Sequence, residues 1–440
     1  MSLPAHGMAN WGRRWLPPIL FGCFLYGLIV AYAPPAVAYN AWVGQTLYLG
    51  SALLLFWSGG AVGRWHWDRQ VGWALLGFGA LVLIATWGSP KIYLAWPRLM
   101  LYGGVMLWGF AVYWLHRDDR YGSAEGTLLA MGVVHALVTA AMFAWIHAMQ
   151  GGHYDSQTVP PYHSNIRHPG YLGYVCAISG IGIAMSRRRL QLSAWLLATI
   201  ALLEIITLGT RGAFYAWGLG VLMLVVVRRQ GRWPLMVAAL ASVAVASTIT
   251  LALANAGVLF GNNIFVRTAG SGEALYTTSG RWAMWQDAFA AIVRHPWLGY
   301  GPEGYLTSAC CDGSHRGYLK FAIQPHSVLL LWLLEFGALG TVALGWLASR
   351  VIRALTGGNA PWWRWLRNDD LFQWLSISLL GLFAYGPIDG VFYHAIPLTL
   401  AATLVGLWAA RVHALAAVRV TEPSADSEPA HAPEPGVGMG

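Results

Sequence analysis

The chain has 440 residues, of which 57% are hydrophobic and only 10% charged. A soluble domain carries about 25% charged residues, so a soluble globular class is excluded. The formal charge of +9 does not point to nucleic acid, because the basic residues sit in short clusters between apolar runs, the pattern that sets membrane topology. The 25 Trp and 19 Tyr suit belts at two membrane–water interfaces.

A helix needs about 20 apolar residues to cross the hydrocarbon core. Such runs lie near 15–33, 41–62, 71–89, 95–115, 126–148, 170–186, 190–209, 211–227, 233–254, 326–349, 371–388 and 393–411. They predict an all-α polytopic membrane protein of about twelve transmembrane helices with one large loop. The first run follows Arg13-Arg14 and precedes Ala36-Val37-Ala38, the outline of a cleavable signal. More spans follow at once, so it is read as an uncleaved first helix. The organisation is nine spans over 1–254, a loop over 255–325, three spans over 326–411, and a tail over 412–440, rich in Pro, Ala, Ser, Glu and Asp toward its end and read as mostly disordered.

Lys/Arg bias orients the chain with both termini inside. Most of the 27 basic residues then fall in inner segments. The outer segments and outer helix ends keep Lys91, Arg98, Arg167, Arg211, Arg267, Arg281, Arg294, Arg316 and Lys320. Topology does not call for these, and an outer positive funnel implies an anionic ligand. The long loop is therefore outside. Within it, Ser279 to His295 reads as an amphipathic helix, with Trp282, Trp285, Phe289 and Ile292 at helical spacing on one face. That face can lie among lipid headgroups or pack on the bundle.

His326 opens the span after the loop. A helix N-terminus and nearby arginines disfavour the imidazolium, and a neutral imidazole is what a general base requires. A histidine satisfied by a backbone carbonyl is the plainer alternative. Arg211 lies between two apolar runs and Arg281 opens the amphipathic helix, so together they can hold a diphosphate bidentately. Lys91, Arg98 and Arg167 are further candidates on the same side. Their alternative is lipid contact or an ion pair, for Arg211 and Arg281 with Glu204 or Glu273. Metal has weak support. His153, His163 and His168 are not spaced as a compact motif, and the outer side has few carboxylates, which favours arginines over a divalent ion. Glu335, an acid inside a span, reads as a structural pair. Cys23 and Cys176 lie in apolar runs, whereas the neighbours Cys310 and Cys311 can form a vicinal disulfide in an oxidising compartment or remain thiols.

Several segments resemble the O-antigen ligase and O-antigen polymerase superfamily. Ser279-Gly280-Arg281-Trp282 through His295-Pro296-Trp297-Leu298-Gly299-Tyr300-Gly301 is similar to that family's Arg-opened helix and its turn of the hPllGxG form. His326-Ser327-Val328-Leu329-Leu330, then Glu335-Phe336-Gly337-Ala338-Leu339-Gly340, resembles its HsxxLxxxxExGxxG pattern. Leu208-Gly209-Thr210-Arg211-Gly212 resembles its SRG step, and Arg167-His168-Pro169-Gly170 its gNPN step, with His in place of Asn.

The resemblance implies a bundle similar to the GT-C glycosyltransferases and an enzyme of the bacterial inner membrane, working on the periplasmic face. It implies an undecaprenyl-diphosphate-linked glycan as donor and, in the ligase branch, lipid A–core oligosaccharide as acceptor, without metal or cofactor. The polymerase branch extends another repeat unit, and a protein O-glycosyltransferase is a third possibility within the class. It maps the family's histidine onto His326 and its outer arginines onto Arg211 and Arg281. A transporter of lipid-linked glycans is the competing class. It would place charge at mid-membrane in repeated halves, whereas the charges here cluster at outer ends.

Overall fold

The computed structural model describes residues 36–57, 68–117, 124–150, 168–228, 230–257, 263–265, 281–308, 324–356, 358, 361–388 and 390–421. Among these every regular element is helical. The helices are α1 (Ala36–Trp57), α2 (Arg69–Trp87), α3 (Ile92–His116), α4 (Ala124–Gln150), α5 (His168–Ser186), α6 (Gln191–Thr207), α7 (Arg211–Val227), α8 (Arg232–Asn255), α9 (Arg281–Arg294), α10 (Gly304–Ser308), α11 (Val328–Thr356), α12 (Trp362–Asn368), α13 (Asp370–Tyr385) and α14 (Ala395–Thr421). Their starts carry local signals. Asp68 caps α2 by accepting the Gln70 and Val71 amides at 2.7 and 3.3 Å, and Asp369 caps α13 through the Phe372 amide at 2.8 Å.

Eight helices among the described residues are long and apolar enough to cross a membrane, and three shorter apolar ones accompany them. Each coincides with a run read from the sequence. The expected count of about twelve rests further on the run at 15–33, which lies outside the described residues, and on those three short helices. The lipid-facing surface is apolar. Phe56, Trp87, Trp233 and Val342 are 83, 78, 74 and 71% exposed, a surface that water would disfavour by about 25 cal/mol per Å². The chain is a multi-pass membrane protein.

Inside the bundle, contacts are made by small residues and hydrogen-bonded hydroxyls, because lipid removes the hydrophobic drive for helix association. A Cβ at Gly104 would lie 2.8 Å from the Gly44 carbonyl, and one at Gly109 3.1 Å from the Ala402 carbonyl. Backbone-close crossings therefore join α1 to α3 and α3 to α14. Trp108 donates to Thr403 at 3.0 Å, and Thr207 meets Thr250 at 3.1 Å. Glu204, which the sequence offered as an ion-pair partner for Arg211, sits 2.6 Å from His135 with both side chains buried.

Successive helices alternate in direction, which sorts the charges. At one end Arg187 pairs with Glu125 at 2.7 Å, Arg228 with Asp370 at 3.0 Å, Arg411 with Asp369, and Arg350 donates to Gln70 at 2.6 Å. The opposite end carries the α2–α3 corner with Lys91, the α6–α7 turn with Arg211, α9, α10 and the start of α11.

Two elements there add to the sequence reading. In α9 the packed face is Met284, Ala288 and Ala291, while Trp282 and Phe289 are 59 and 63% exposed. Trp282 and Phe289 therefore face outward, one of the two placements the stripe allowed, while small residues let α9 and α11 approach. And α11 is not one helix. At Gly337 the backbone turns to φ 63°, ψ −174°, a region open essentially to glycine alone. At the other extreme of the chain, α14 runs to Thr421, past the expected end at 411.

Candidate active site

The break in α11 is filled by the turn that follows α9. The Ala338 amide donates to the Pro296 carbonyl at 2.8 Å, the Leu339 amide to Trp297 at 3.1 Å, and the Tyr300 amide to Leu334 at 2.7 Å. Backbone groups freed by the break are thus met by the turn, as buried peptide groups require. Gly299 and Gly301, at φ 68° and 78°, let the chain come this close. A Cβ at Gly299 would lie 2.5 Å from the Leu334 carbonyl, and one at Gly301 2.6 Å from that of Ala85. The two distant glycine-rich motifs of the sequence are one packed unit.

Beside this unit lies a buried polar cluster. Glu335 accepts the Glu303 amide at 3.0 Å and the Tyr102 hydroxyl. The Glu303 carboxylate accepts the Tyr393 hydroxyl at 2.7 Å and faces Arg98 at 3.9 Å. Arg98 donates to the carbonyls of Tyr393 and, at 3.4 Å, Phe392, and lies 4.5 Å over the Tyr393 ring. Burial, then the adjoining Glu303 carboxylate, holds the Tyr393 phenol well above its usual range, so it remains a donor. Arg98 is fully buried. This departs from the expectation that it faces an anionic ligand, because its charge is met inside the protein. Glu335 is a satisfied structural acid, as its place in a span demands.

The segment Gln324 to Ser327 enters α11 at the rim. His326 is half-buried and has φ 50°, an uncommon conformation for a residue with a Cβ. It stands two residues before the helix, not in its first turn. The Trp285 indole donates to the Pro325 carbonyl at 2.9 Å. Trp285 is one helical turn from Arg281, so the helix opened by Arg281 is fastened to the residue before His326. Gln324, 2% exposed, meets His394 at 3.0 Å through its amide nitrogen.

Arg211 reaches the same end by a different route. It is the first residue of α7, after Gly209 at φ 63°. The next residue, Gly212, abuts the ring of Tyr385, and the following Gly386 would place a Cβ 3.1 Å from Val328. Adjacent residues at the end of α13 are therefore touched by the neighbour of Arg211 and by a residue two beyond His326. A Cβ at Gly170 would lie 3.1 Å from Thr210, which brings the start of α5 to this corner too. Lys91 is at the α2–α3 corner, half-buried and next to the turn that holds Gly301. Arg167, Arg267, Arg316, Lys320, Cys310 and Cys311 lie outside the described residues, as does the His168 side chain. Cys176 is buried and unbridged.

Sequence reasoning missed Gln324, Glu303, Tyr393 and His394. The run Tyr393-His394 just before a span offers the same cue as Pro325-His326 before α11, but only folding shows that the two meet. No group of three or more metal-binding side chains occurs among the described residues. A cavity of about 540 Å³ at the opposite end is lined by His116, Arg117, Glu125, Arg187, Asp369, Asp370 and Arg411 among others, and several of these charges are already paired with each other.

Residues 196–345 match the family described as O-antigen ligase. The chain carries a domain of the O-antigen ligase/polymerase superfamily. The matched ligase-family segment runs from α6 through the break in α11, so it contains Arg211, Arg281, the turn at 295–301, His326 and Glu335. The helix that supplies Arg98 and the turn that supplies Tyr393 and His394 flank it in sequence and complete it in space. No curated protein matched the chain.

Proposed function

We propose that the chain is an O-antigen ligase that transfers a glycan from undecaprenyl diphosphate to lipid A–core oligosaccharide on the periplasmic face of the bacterial inner membrane. The observation that supports this reading is the gathering of Arg211, Arg281 and His326 at one end of an apolar bundle, away from the arginine-rich end. By the distribution of Lys and Arg, the arginine-rich end is cytoplasmic, and both termini lie there.

In this mechanism His326 accepts the proton of the acceptor hydroxyl as its oxygen attacks the anomeric carbon. The bond to the diphosphate oxygen breaks on the opposite face, through an oxocarbenium-like transition state. Arg211 and Arg281 take up the negative charge that grows on the leaving diphosphate. Undecaprenyl diphosphate departs, and one displacement inverts the anomeric configuration. Guanidinium groups serve where other glycosyl transfers use a divalent ion, so no metal or cofactor enters. Lys91 and Arg167 extend the positive field at the mouth, while Arg98 holds the scaffold.

Transfer by purified protein in lipid, with donor lipid and acceptor supplied, tests the reading directly. Full transfer by a His326→Ala protein removes the proposed base. The lipopolysaccharide profile of a deletion strain separates the branches: an unmodified core indicates the ligase, and a core capped by a single repeat indicates the polymerase of the same superfamily.

A further inference from the structure

We propose that His394 is a positioning residue for His326, acting through Gln324. This rests on the reading of His326 as the base. The Gln324 side-chain nitrogen and the His394 Nε2 are 3.0 Å apart. The direction of this bond follows the histidine tautomer: with the amide nitrogen toward Nε2, the imidazole accepts and carries its proton on Nδ1. Gln324 is two residues before His326, and Gly390 packs directly against its amide.

His394 can serve as a fixed strut because the turn that carries it is itself immobilised. Val391, Phe392 and Tyr393 are 0, 5 and 3% exposed. Arg98 donates to the carbonyls of Tyr393 and Phe392, and the Tyr393 hydroxyl donates to Glu303. The Phe392 ring packs on Phe383 at 4.9 Å. One turn therefore holds the loop at two points, Glu303 beside the packed unit and Gln324 just before His326. The strained φ of 50° at His326 needs such support, since a residue held in a sparsely populated conformation relaxes when its surroundings loosen. Loss of the Gln324–His394 contact frees the imidazole of His326 to leave the attacking geometry without altering the arginines that hold the donor.

The test is steady-state transfer by purified full-length variants in lipid, with thermal midpoints recorded alongside. His394→Ala is expected to lower kcat at least tenfold with the donor KM within about threefold and the midpoint unchanged. His394→Gln, which restores an acceptor toward Gln324, is expected to recover most of kcat. Gln324→Ala combined with His394→Ala should cost no more than either alone, because coupled residues are not additive. A full kcat in His394→Ala, or a multiplicative loss in the double variant, overturns the proposal while an inactive His326→Ala leaves the base assignment standing. Full activity in His326→Ala overturns both. If His394→Ala proves unstable, Gln324→Ala alone decides: it must show the same kcat loss at unchanged KM.

Discussion

The carboxylate of Glu335 accepts the backbone amide of Glu303 at 3.0 Å. The first residue belongs to the helix after the loop and the second to the loop itself, so this bond fixes the loop to the break in α11. Arg98 and Tyr102 from α3 and Tyr393 ahead of α14 close round it. Four separate stretches of chain thus converge on one ion-pair cluster.

Gly337→Ala tests the break. Its φ and ψ suit glycine alone, and an added Cβ would run into the Trp297 carbonyl. The expected cost is about 3 kcal/mol or more, read as a lowered thermal midpoint in detergent. Gly345→Ala, on the same helix with open space around it, should be neutral or stabilising by up to about 1 kcal/mol.

Glu335→Ala removes the acceptor for Tyr102 and Glu303 and leaves Arg98 a weaker set of partners. A loss of about 3–5 kcal/mol is expected, as for other broken buried pairs. Glu335→Gln keeps an acceptor and should cost less than half as much. Wild-type midpoints in both variants would show that the carboxylate is not structural.

Stability should also depend on alkaline pH through Tyr393. Its folded pKa is raised, whereas an unfolded tyrosine titrates near 10. Below about pH 10 both states keep the proton and stability is flat. Above it the unfolded chain releases a proton that the folded chain retains, so stability falls by about 1.4 kcal/mol per pH unit. Midpoints measured from pH 9 to 11 should decline less steeply in Tyr393→Phe than in the parent.

At the proposed site, His326→Ala should lower kcat by about 10²–10⁴. Arg211→Lys and Arg281→Lys should each lose activity despite conserved charge, because an ammonium cannot bind phosphate as a fork. About 10²–10³ in kcat is expected for a lost transition-state donor. Wild-type rates in either lysine variant would assign that arginine a different duty.

Chelation provides an independent check on the arginines. Transfer by protein incubated with EDTA should proceed at the untreated rate. A loss restored by added divalent ion would overturn the assignment of the diphosphate to Arg211 and Arg281.

Much of the scaffold was legible because lipid imposes a simple rule: a spanning helix must be apolar along about 20 residues. The same rule made Arg211 and Arg281 visible, since charge at helix ends is sparse and stands out. Arg98 stood beside Lys91 and Arg167 as a further candidate on the same side. Only folding showed it turned inward, because its partners Glu303 and Tyr393 lie far along the chain. The aromatic stripe of α9 left two placements open for a related reason: periodicity reveals two faces but does not say which one meets protein when lipid also welcomes aromatics.

The sequence by itself determined the helical membrane class, and it set the expectation of a large loop over 255–325 with His326 at the entry to the next span. These follow from local composition and spacing. The tertiary structure decided that α11 breaks at Gly337, that the turn at 295–301 fills the break, and that His394 reaches Gln324. Each depends on backbone or side-chain partners distant in sequence, and no local pattern specifies which carbonyl will stand opposite a freed amide.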